Sequence, residues 1–358
     1  MKDLIYGILI HRMIKVGLIG CGYWGKNLLR VLKNLERCEL VACCDIDEEK
    51  LDEAQKKWKV QRTTTDYNDI IRDVTIDAVV IATPTNSHYE IAKNALLHNK
   101  HVFVEKPFVR EYEQGIELLE LQRAVGKVLM VGHTFLYSPA VRKIKEILKN
   151  KELGEVFYIS SRRVNLGIHR KDVNVVWDLA SHDLSILFYW LERTPYFILA
   201  TGKDCVIDGK PDVAFITLRF PEEVICNIEV SWLAPSKIRN ITIVGSDKML
   251  VYDDTEVHEK IKIFNKSVEV LNHDNFGEFQ LAYRTGEVIA PYIPNDEPLK
   301  VELSHFIDCI IGKKEPLSNA ESGLEVVKYL ELIEKSLQLN GKPIDYNEDT
   351  FRKGKKNN

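Results

Sequence analysis

The chain has 358 residues, of which 45% are hydrophobic and 28% are charged, and its formal net charge is −4 at pH 7. This composition is typical of globular proteins and disfavours disordered and fibrous classes. The length exceeds that of one ordinary domain and predicts two. Because the small negative charge creates no basic field for a phosphate backbone, nucleic acid is not an expected partner.

The seven cysteines form no C-x-x-C pair, and the ten histidines show no H-x-x-x-H or H-E-x-x-H pattern. The cysteines are therefore interpreted as buried hydrophobic residues, and no metal site is expected. Free thiols without a secretion signal favour a reducing compartment, so we expect a cytoplasmic protein. The apolar run at residues 4–10 is shorter than the roughly 20 residues that cross a bilayer, and no membrane association is expected. Met13, directly before the first predicted strand, is an alternative start of the natural chain.

A glycine-rich turn follows the first predicted strand. Residues 14–19 are a β-branched apolar run, and residues 26–32 continue with the leucine spacing of a helix. In such a turn the first glycine permits the tight bend, the second lets the backbone approach a pyrophosphate, and the third lets helix and strand pack closely. The helix N-terminus then binds the phosphates through its unpaired N–H groups. The loop that predicts this dinucleotide site is Gly20, Cys21, Gly22, Tyr23, Trp24 and Gly25.

An acidic residue ends the second predicted strand. Residues 39–44 lead into Asp45, about 20 residues past the last glycine, where the fingerprint places the acid that binds the ribose 2′-hydroxyl. A carboxylate there repels the 2′-phosphate of NADP, so NAD is the expected cofactor and NADP the less favoured one. The alternative is that Asp45 or Asp47 caps the helix that follows.

Two further predicted strands deliver polar residues to the same sheet edge. Residues 77–82 are a continuous apolar run suited to a strand buried on both faces, and residues 101–104 form another. Ligands on parallel sheets bind beyond the carboxyl ends of the strands. The residues expected to contact the cofactor there are Ala82, Thr83, Pro84, Asn86, His88, Glu105 and Lys106. For Glu105 a structural salt bridge is the alternative.

These motifs resemble, in order and spacing, those of the family of glucose–fructose oxidoreductase, inositol dehydrogenase and related sugar dehydrogenases. The resemblance rests on the glycine loop, on residues 82–88 and on Glu105-Lys106-Pro107, and it continues into residues 178–183. That last segment is similar to the family's D-x-G-x-H motif, with Ala180 in place of the usual glycine. The resemblance covers nearly the whole chain. It implies an α/β Rossmann domain with a doubly wound parallel sheet, and an α+β C-terminal domain with a large, mostly antiparallel open sheet.

The resemblance also implies an activity, the NAD-dependent oxidation of a secondary hydroxyl group. In this interpretation Lys106 hydrogen-bonds the reacting oxygen, and His182 is the candidate base because an imidazole titrates near working pH. Asp178 lies four residues before His182 and would orient the imidazole if the segment is helical. The peptide bond before Pro107 is expected to be cis.

The expected substrate follows from a finer similarity. Residues 22–27 and 133–139 are similar to the branch that oxidises nucleotide-linked sugars at C3, which suggests a UDP-linked N-acetyl sugar or its uronate. A free polyol or inositol is the alternative within the family, and a non-catalytic dinucleotide-binding protein is the alternative of another class. Four side chains are candidate substrate contacts, each weighed against a structural role: Tyr137, Arg163, Asn165 and Trp177.

The second half of the chain is predicted to be strand-rich. Two closing segments, residues 299–311 and 322–339, return to a helical period.

We expect an extension at 1–12, an NAD-binding domain at 13–135, a substrate and oligomerisation domain at 136–350, and a polar tail at 351–358. The bare sheet face commonly forms dimers or tetramers in the family, so a homodimer or homotetramer is expected. The predicted strands are residues 156–164, 214–220, 224–230, 240–244 and 249–252.

Overall fold

The computed structural model describes residues 13–167, 169–170, 172–271 and 280–346. The described part of the chain divides into two compact units, one within residues 13–138 and 296–328 and the other within residues 139–295 and 329–346. The sequence had assigned residues 136–350 to one continuous domain, whereas in the structure residues 296–328 group with the first unit. The predicted extension at 1–12 and the tail at 351–358 lie outside the described residues.

Strands and helices alternate in the first part of the chain, and antiparallel strands dominate the second. The strands are β1 Ile14–Ile19, β2 Cys38–Cys44, β3 Arg62–Thr64, β4 Ala78–Ile81, β5 His101–Glu105, β6 Leu129–Gly132, β7 Val156–Val164, β8 Phe197–Lys203, β9 Val213–Arg219, β10 Ile225–Ser231, β11 Ile238–Gly245, β12 Met249–Asp253, β13 Ile261–Leu271, β14 Gln280–Ile289 and β15 Ile344–Asp345. The α-helices are α1 Tyr23–Leu32, α2 Glu48–Trp58, α3 Asn68–Ile71, α4 His88–Leu97, α5 Tyr112–Val125, α6 Pro139–Lys149, α7 Ser181–Leu191, α8 Pro298–Gly312 and α9 Ala320–Gln338.

The first unit is built on a six-stranded parallel sheet in the order β3-β2-β1-β4-β5-β6. All four residues of β4 and all four of β6 are buried, as their continuous apolar sequences require of strands covered on both faces. The strand order reverses between β1 and β4, and ligands of such sheets bind outside the carboxyl ends at this point. The predicted Rossmann domain is confirmed.

The segment 296–328 completes the first unit through specific contacts. The backbone N–H of Val131 donates to the carbonyl oxygen of Ser318 at 2.8 Å, and the ring of Phe306 packs edge-on against Phe103 with centroids 5.8 Å apart. Helix α8 also lies beside α1. Gly115 packs closely against Leu324: a Cβ added to this glycine would lie 2.5 Å from Cδ1 of Leu324. These contacts explain why a segment far along the sequence belongs with the parallel sheet.

The second unit contains a nine-stranded sheet in the order β14-β13-β12-β11-β7-β10-β9-β8-β15. Neighbouring strands of this sheet are antiparallel, except β7 and β10, which are parallel to each other. Ile159 and Cys226 pair on the buried face, whereas Tyr158 and Ile225 pair on the exposed face. The predicted, mostly antiparallel open sheet is confirmed, with β8, β13, β14 and β15 added to the predicted strands.

Both closing helical segments are present, as α8 and α9. Among the helices that the structure describes, none combines the length and apolar character needed to span a bilayer.

Candidate active site

The glycine loop joins β1 to α1, and its backbone geometry requires glycine at two positions. Gly20 has φ of +100°, and a Cβ on it would lie 2.5 Å from the carbonyl oxygen of Ala82. A Cβ on Gly25 would lie 2.1 Å from the carbonyl oxygen of Gly20. Packing therefore requires both of these glycines.

Gly22 differs from the other two glycines of the loop. It is the N-cap of α1 with no side-chain cap, and no described atom lies within 4 Å of the position of its Cβ. This open backbone leads into a helix with no acidic residue in its first turn. Such a helix start is suited to an anionic phosphate group, so the loop fits a bound dinucleotide. Tyr23 and Trp24, which begin the helix, are exposed.

Asp45 connects the end of β2 to the glycine loop. Its Oδ2 accepts a hydrogen bond from the Cys21 N–H at 2.7 Å, and its Oδ1 accepts one from the Asp47 N–H at 3.0 Å. The Nζ of Lys50 lies 3.6 Å from Oδ1. Asp47 is the N-cap of α2, and its side chain accepts from the Glu49 N–H at 3.1 Å. The capping role thus belongs to Asp47, and Asp45 stands beside the loop where the fingerprint places the ribose-binding acid.

His88 holds together the two loops that follow β4 and β5. Its side chain is buried, with Nδ1 2.9 Å from the carbonyl oxygen of Pro107 and Nε2 2.9 Å from that of Thr83. The imidazole therefore fixes the loop backbone in addition to any contact with a cofactor. Of the other residues predicted here, Pro84 and Asn86 are exposed, and Ala82 is partly exposed.

Lys106 lies at the carboxyl end of β5, where its side chain is half-buried. The Lys106–Pro107 peptide bond is cis, as predicted. The preceding residue, Glu105, is buried, and its Oε1 accepts a hydrogen bond from Nε1 of Trp24 at 2.5 Å. Burial raises the pKa of Glu105 to about 7, although the hydrogen bond from Trp24 and the charge of Lys106 act to lower it.

Two buried ionisable residues beside this edge were not predicted. Glu302 of α8 is 0% exposed, and its Oε2 accepts a hydrogen bond from the hydroxyl group of Thr134 at 2.6 Å. Burial, together with the charge of Glu105, raises the pKa of Glu302 well above its usual range. His133 is also buried, and burial together with the charge of Lys106 lowers its pKa to about 3. Its imidazole is therefore neutral at physiological pH.

A sequence signal for Glu302 does exist. It occupies a helical position on the side that carries Leu299, Leu303 and Phe306, all of them buried. A carboxylate within such an apolar stripe is unusual, because an unpaired buried charge is costly.

The predicted residues Asp178 and His182 lie in the second unit. Residues Val176–Ala180 form a π-helical turn that leads into α7, and His182 is half-buried in its first turn. The Oδ2 of Asp178 accepts a hydrogen bond from Nε1 of Trp232 at 3.1 Å, and its Oδ1 lies 3.4 Å from Nη1 of Arg170. Ala180 has φ of −67° and ψ of −21°, so its backbone is in the right-handed helical region and needs no glycine.

Arg163, a predicted substrate contact, forms a buried ion pair. Its side chain is 4% exposed, and its Nε and Nη2 lie 2.8 and 3.1 Å from the two carboxylate oxygens of Asp183. Ser161 donates a further hydrogen bond to Asp183 at 2.7 Å. This bidentate pair favours a structural role for Arg163, and its contact with substrate stays a prediction.

Of the other three predicted substrate contacts, two are core residues and one is partly open to solvent. The indole Nε1 of Trp177 donates to Glu334 at 2.9 Å, and the hydroxyl oxygen of Tyr137 lies 2.9 Å from that of Ser318. Both rings are fully buried, which favours the core role that was weighed for them. Asn165 is half-buried directly after β7, and it remains the candidate with a side chain partly open to solvent.

Two family models match the chain, one in each half. Residues 14–133 match the oxidoreductase family with an NAD-binding Rossmann fold, GFO_IDH_MocA, and residues 141–251 match the GFO/IDH/MocA C-terminal domain. Together the two matches span more than half of the chain. The glycine loop, Asp45 and the residues after β4 and β5 all lie inside the first match, and the prediction of an NAD-binding Rossmann fold is confirmed.

Individual relatives act on more than one kind of substrate. An uncharacterized oxidoreductase of Bacillus subtilis, YrbE, is 29% identical over 62% of this chain and 67% of its own. A myo-inositol 2-dehydrogenase of Thermotoga maritima is 27% identical over 58% of this chain and 65% of its own. The chain thus spans about two thirds of the length of these relatives. The structure of UDP-N-acetylglucosamine 3-dehydrogenase GnnA from Acidithiobacillus ferrooxidans has a TM-score of 0.76 at 20% identity, covering 92% of this chain and 99% of that one.

Proposed function

The chain belongs to the GFO/IDH/MocA family of oxidoreductases, and on that premise we propose that it is an NAD-dependent dehydrogenase that oxidises a secondary hydroxyl group of a sugar. The observation that carries the proposal is the position of Lys106. Lys106 is half-buried and directly follows Glu105 at the carboxyl edge of the NAD-binding sheet. Ligands of such sheets bind at this edge, so Lys106 lies where a reacting hydroxyl group would meet the cofactor.

The reaction divides between a hydride and a proton. Bound NAD supplies the acceptor for the hydride that leaves the carbinol carbon. Lys106 donates a hydrogen bond to the reacting oxygen, and His182 accepts the hydroxyl proton. Asp178 orients the imidazole, and the contacts of its carboxylate with Trp232 and Arg170 keep it in place for this task. The product is a ketone, with one proton on the base and reduced cofactor.

For the substrate we propose a UDP-linked N-acetyl sugar or its uronate, oxidised at C3. The similarity of residues 22–27 and 133–139 to that branch supports this choice.

A free inositol or polyol is the second candidate, and it has its own support. Arg163 is paired with Asp183, so the one basic side chain among the four predicted substrate contacts is already neutralised and does not favour a substrate that carries a phosphate. Inositol carries no phosphate and needs no such group. A myo-inositol 2-dehydrogenase is also among the relatives of the chain.

The test is NADH formation by the purified protein with a panel of UDP-sugars, free sugars and inositols. Turnover with UDP-N-acetylglucosamine or its uronate supports the first substrate, and turnover with inositols alone supports the second. NAD binding without turnover on any member of the panel would favour a non-catalytic dinucleotide-binding protein.

We also propose that the chain forms a homodimer or homotetramer through the large sheet. Tyr158 and Ile225 are paired on its exposed face, and Phe215 lies on the same face two strands away from Tyr158. Exposed apolar groups clustered on one sheet face are typical of interaction surfaces. Light scattering after size exclusion tests this: a Phe215→Glu variant should lower the mass toward that of the monomer, whereas a monomeric wild type contradicts the proposal.

A further inference from the structure

Two carboxyl groups are buried in the first unit, that of Glu105 at the carboxyl end of β5 and that of Glu302 on α8. Glu105 contacts the N-terminus of α1 through Trp24, and its carboxyl oxygens would lie 3.0 to 3.1 Å from a Cβ on Gly132. Glu302 approaches from α8, which lies beside α1. Among the described residues neither carboxyl group has a salt-bridge partner within 4 Å. Burial and the charge of Glu105 raise the pKa of Glu302 well above its usual range, so the pair of carboxyl groups retains a proton at neutral pH.

The hydrogen bonds decide which of the two carboxyl groups keeps that proton. Glu105 accepts from the indole N–H of Trp24 at 2.5 Å and from the backbone N–H of Lys106 at 3.3 Å, and both donors stabilise a negative charge. Glu302 accepts from the Thr134 hydroxyl group, and its Oε1 has no partner within the described part of the chain. Glu302 is therefore the neutral acid, and Glu105 is the group that changes its charge.

The cofactor brings a change of charge to the same edge. Since Asp45 at the end of β2 marks the adenosine half of a dinucleotide site, the nicotinamide half belongs to β4, β5 and β6. Glu105 is the last residue of β5. The oxidised nicotinamide ring is a cation and the reduced ring is neutral, so the two forms differ in how strongly they favour a carboxylate nearby.

We propose that Glu105 senses the redox state of the cofactor through its proton: it ionises when NAD⁺ binds and is protonated again when NADH replaces it, while Glu302 stays neutral. The inference rests on NAD binding by this unit and is independent of the substrate proposed above. It predicts that NAD⁺ is bound with release of a proton and that NADH is bound without it.

Other titratable groups around the pair cannot supply this proton at neutral pH. The pKa of His133 is lowered to about 3, so its imidazole has no exchangeable excess proton at pH 7. Burial raises the pKa of the Tyr137 hydroxyl group, which keeps it neutral. His305 on α8 accepts a hydrogen bond from the Leu317 N–H through Nε2, as a neutral imidazole does. The variant Glu105→Gln, below, tests whether the released proton belongs to Glu105 or to another group.

The test is calorimetric titration with NAD⁺ in two buffers of different ionisation enthalpy, from which the number of released protons is obtained. Since the pKa of Glu105 is raised to about 7, we expect release of about half a proton at pH 7 and less than about 0.1 at pH 9. NADH should release less than about 0.1 proton at either pH. Correspondingly, NAD⁺ should bind about tenfold more tightly at pH 8 than at pH 6, whereas the affinity for NADH should not rise.

Three variants assign the proton. Glu105→Gln should abolish the release at pH 7. Glu302→Gln should preserve it, because a neutral amide replaces a neutral acid. Trp24→Phe removes a donor to the carboxylate, so the pH of maximal release should rise by about one unit.

Several outcomes overturn the proposal. Release that persists in Glu105→Gln would assign the proton to another group, with Lys106 the first candidate. A loss in Glu302→Gln as large as in Glu105→Gln would assign it to Glu302. Absence of proton release by the wild type at pH 7 would equally contradict the inference, and this measurement needs no variant. None of these results depends on turnover.

Discussion

The indole Nε1 of Trp24 donates a hydrogen bond of 2.5 Å to Oε1 of Glu105, a residue 81 positions later in the sequence. This bond connects the glycine loop, where a dinucleotide's phosphates would bind, to the end of β5, where Lys106 follows. A buried carboxyl group thus lies between the two functional parts of the NAD-binding unit. We expect its protonation to affect both the stability of the fold and the charge at the predicted site.

Stability should depend on pH through Glu105. Its pKa is raised from 4.5 in the unfolded chain to about 7 in the folded one, so between these values the folded chain binds more protons and its stability falls as pH rises. Glu105→Gln lacks this loss, and its stability relative to wild type should increase by up to about 3 kcal/mol between pH 5 and pH 8. Urea unfolding at both pH values measures the difference. His133 is present in the wild type and in the variant, so its titration cancels in the difference between their unfolding free energies. A difference that does not change with pH contradicts the prediction.

Two glycines of the loop should respond differently to the same change. Gly25→Ala places a methyl group 2.1 Å from the carbonyl oxygen of Gly20, and we expect a loss of about 2 kcal/mol in unfolding free energy. Gly22→Ala meets no described atom and should cost about 1 kcal/mol or less. It should nevertheless weaken NAD binding about tenfold or more, because the methyl group occupies the approach of the phosphates. Unaltered NAD affinity in a folded Gly22→Ala variant would refute this view of the loop.

The cofactor preference should depend on Asp45. In Asp45→Ala the carboxylate that repels a 2′-phosphate is lost, so the ratio of NAD to NADP affinity should fall. Asp47→Ala is the matched control, since it removes only an N-cap at a cost of about 1 kcal/mol. Because Asp45 also accepts hydrogen bonds from the Cys21 and Asp47 N–H groups through its two oxygens, Asp45→Asn should be compared, since it removes the charge and keeps one of the two acceptor oxygens. A wild type that already prefers NADP contradicts the assignment.

Neighbouring arginines on β7 should differ in their importance for stability. Arg163 is buried in a bidentate pair with Asp183, whereas Arg162 is exposed and pairs with Glu229 at the surface. Arg163→Met leaves a buried, uncompensated carboxylate and should cost about 3–5 kcal/mol. Arg162→Met should cost less than about 1 kcal/mol. Denaturant unfolding of the two variants compares them, and equal losses would show that burial of the pair does not determine its contribution.

Local patterns were sufficient to predict the NAD-binding half. The run of apolar residues in β1, the three glycines and Asp45 lie close together in sequence, and each has a direct backbone consequence such as the positive φ of Gly20. The strands of the second sheet could be predicted where β-branched residues alternate, as in β7 and β10. Substrate roles could not be settled in this way, because Tyr137 and Trp177 have the same sequence appearance in a core as in a binding site.

Contacts between distant residues were beyond such patterns. The hydrogen bond from Thr134 to Glu302 joins residues 168 positions apart, and nothing near either residue indicates the other. The same holds for Val131 and Ser318, whose contact brings residues 296–328 into the first unit. Helix periodicity predicted α8 but could not indicate which sheet it covers, since its apolar stripe fits any apolar surface.

The central claim is that Lys106 and His182 carry out chemistry on a substrate that NAD oxidises. In one preparation, NADH formation with the active member of the substrate panel and NAD affinity should be measured together for wild type, Lys106→Ala and His182→Ala. Lys33→Ala, which replaces an exposed lysine after α1, is the control. We predict that turnover falls at least about 100-fold in both variants, with NAD affinity nearly unchanged and the control unaffected. Turnover close to that of the wild type in Lys106→Ala would contradict the account.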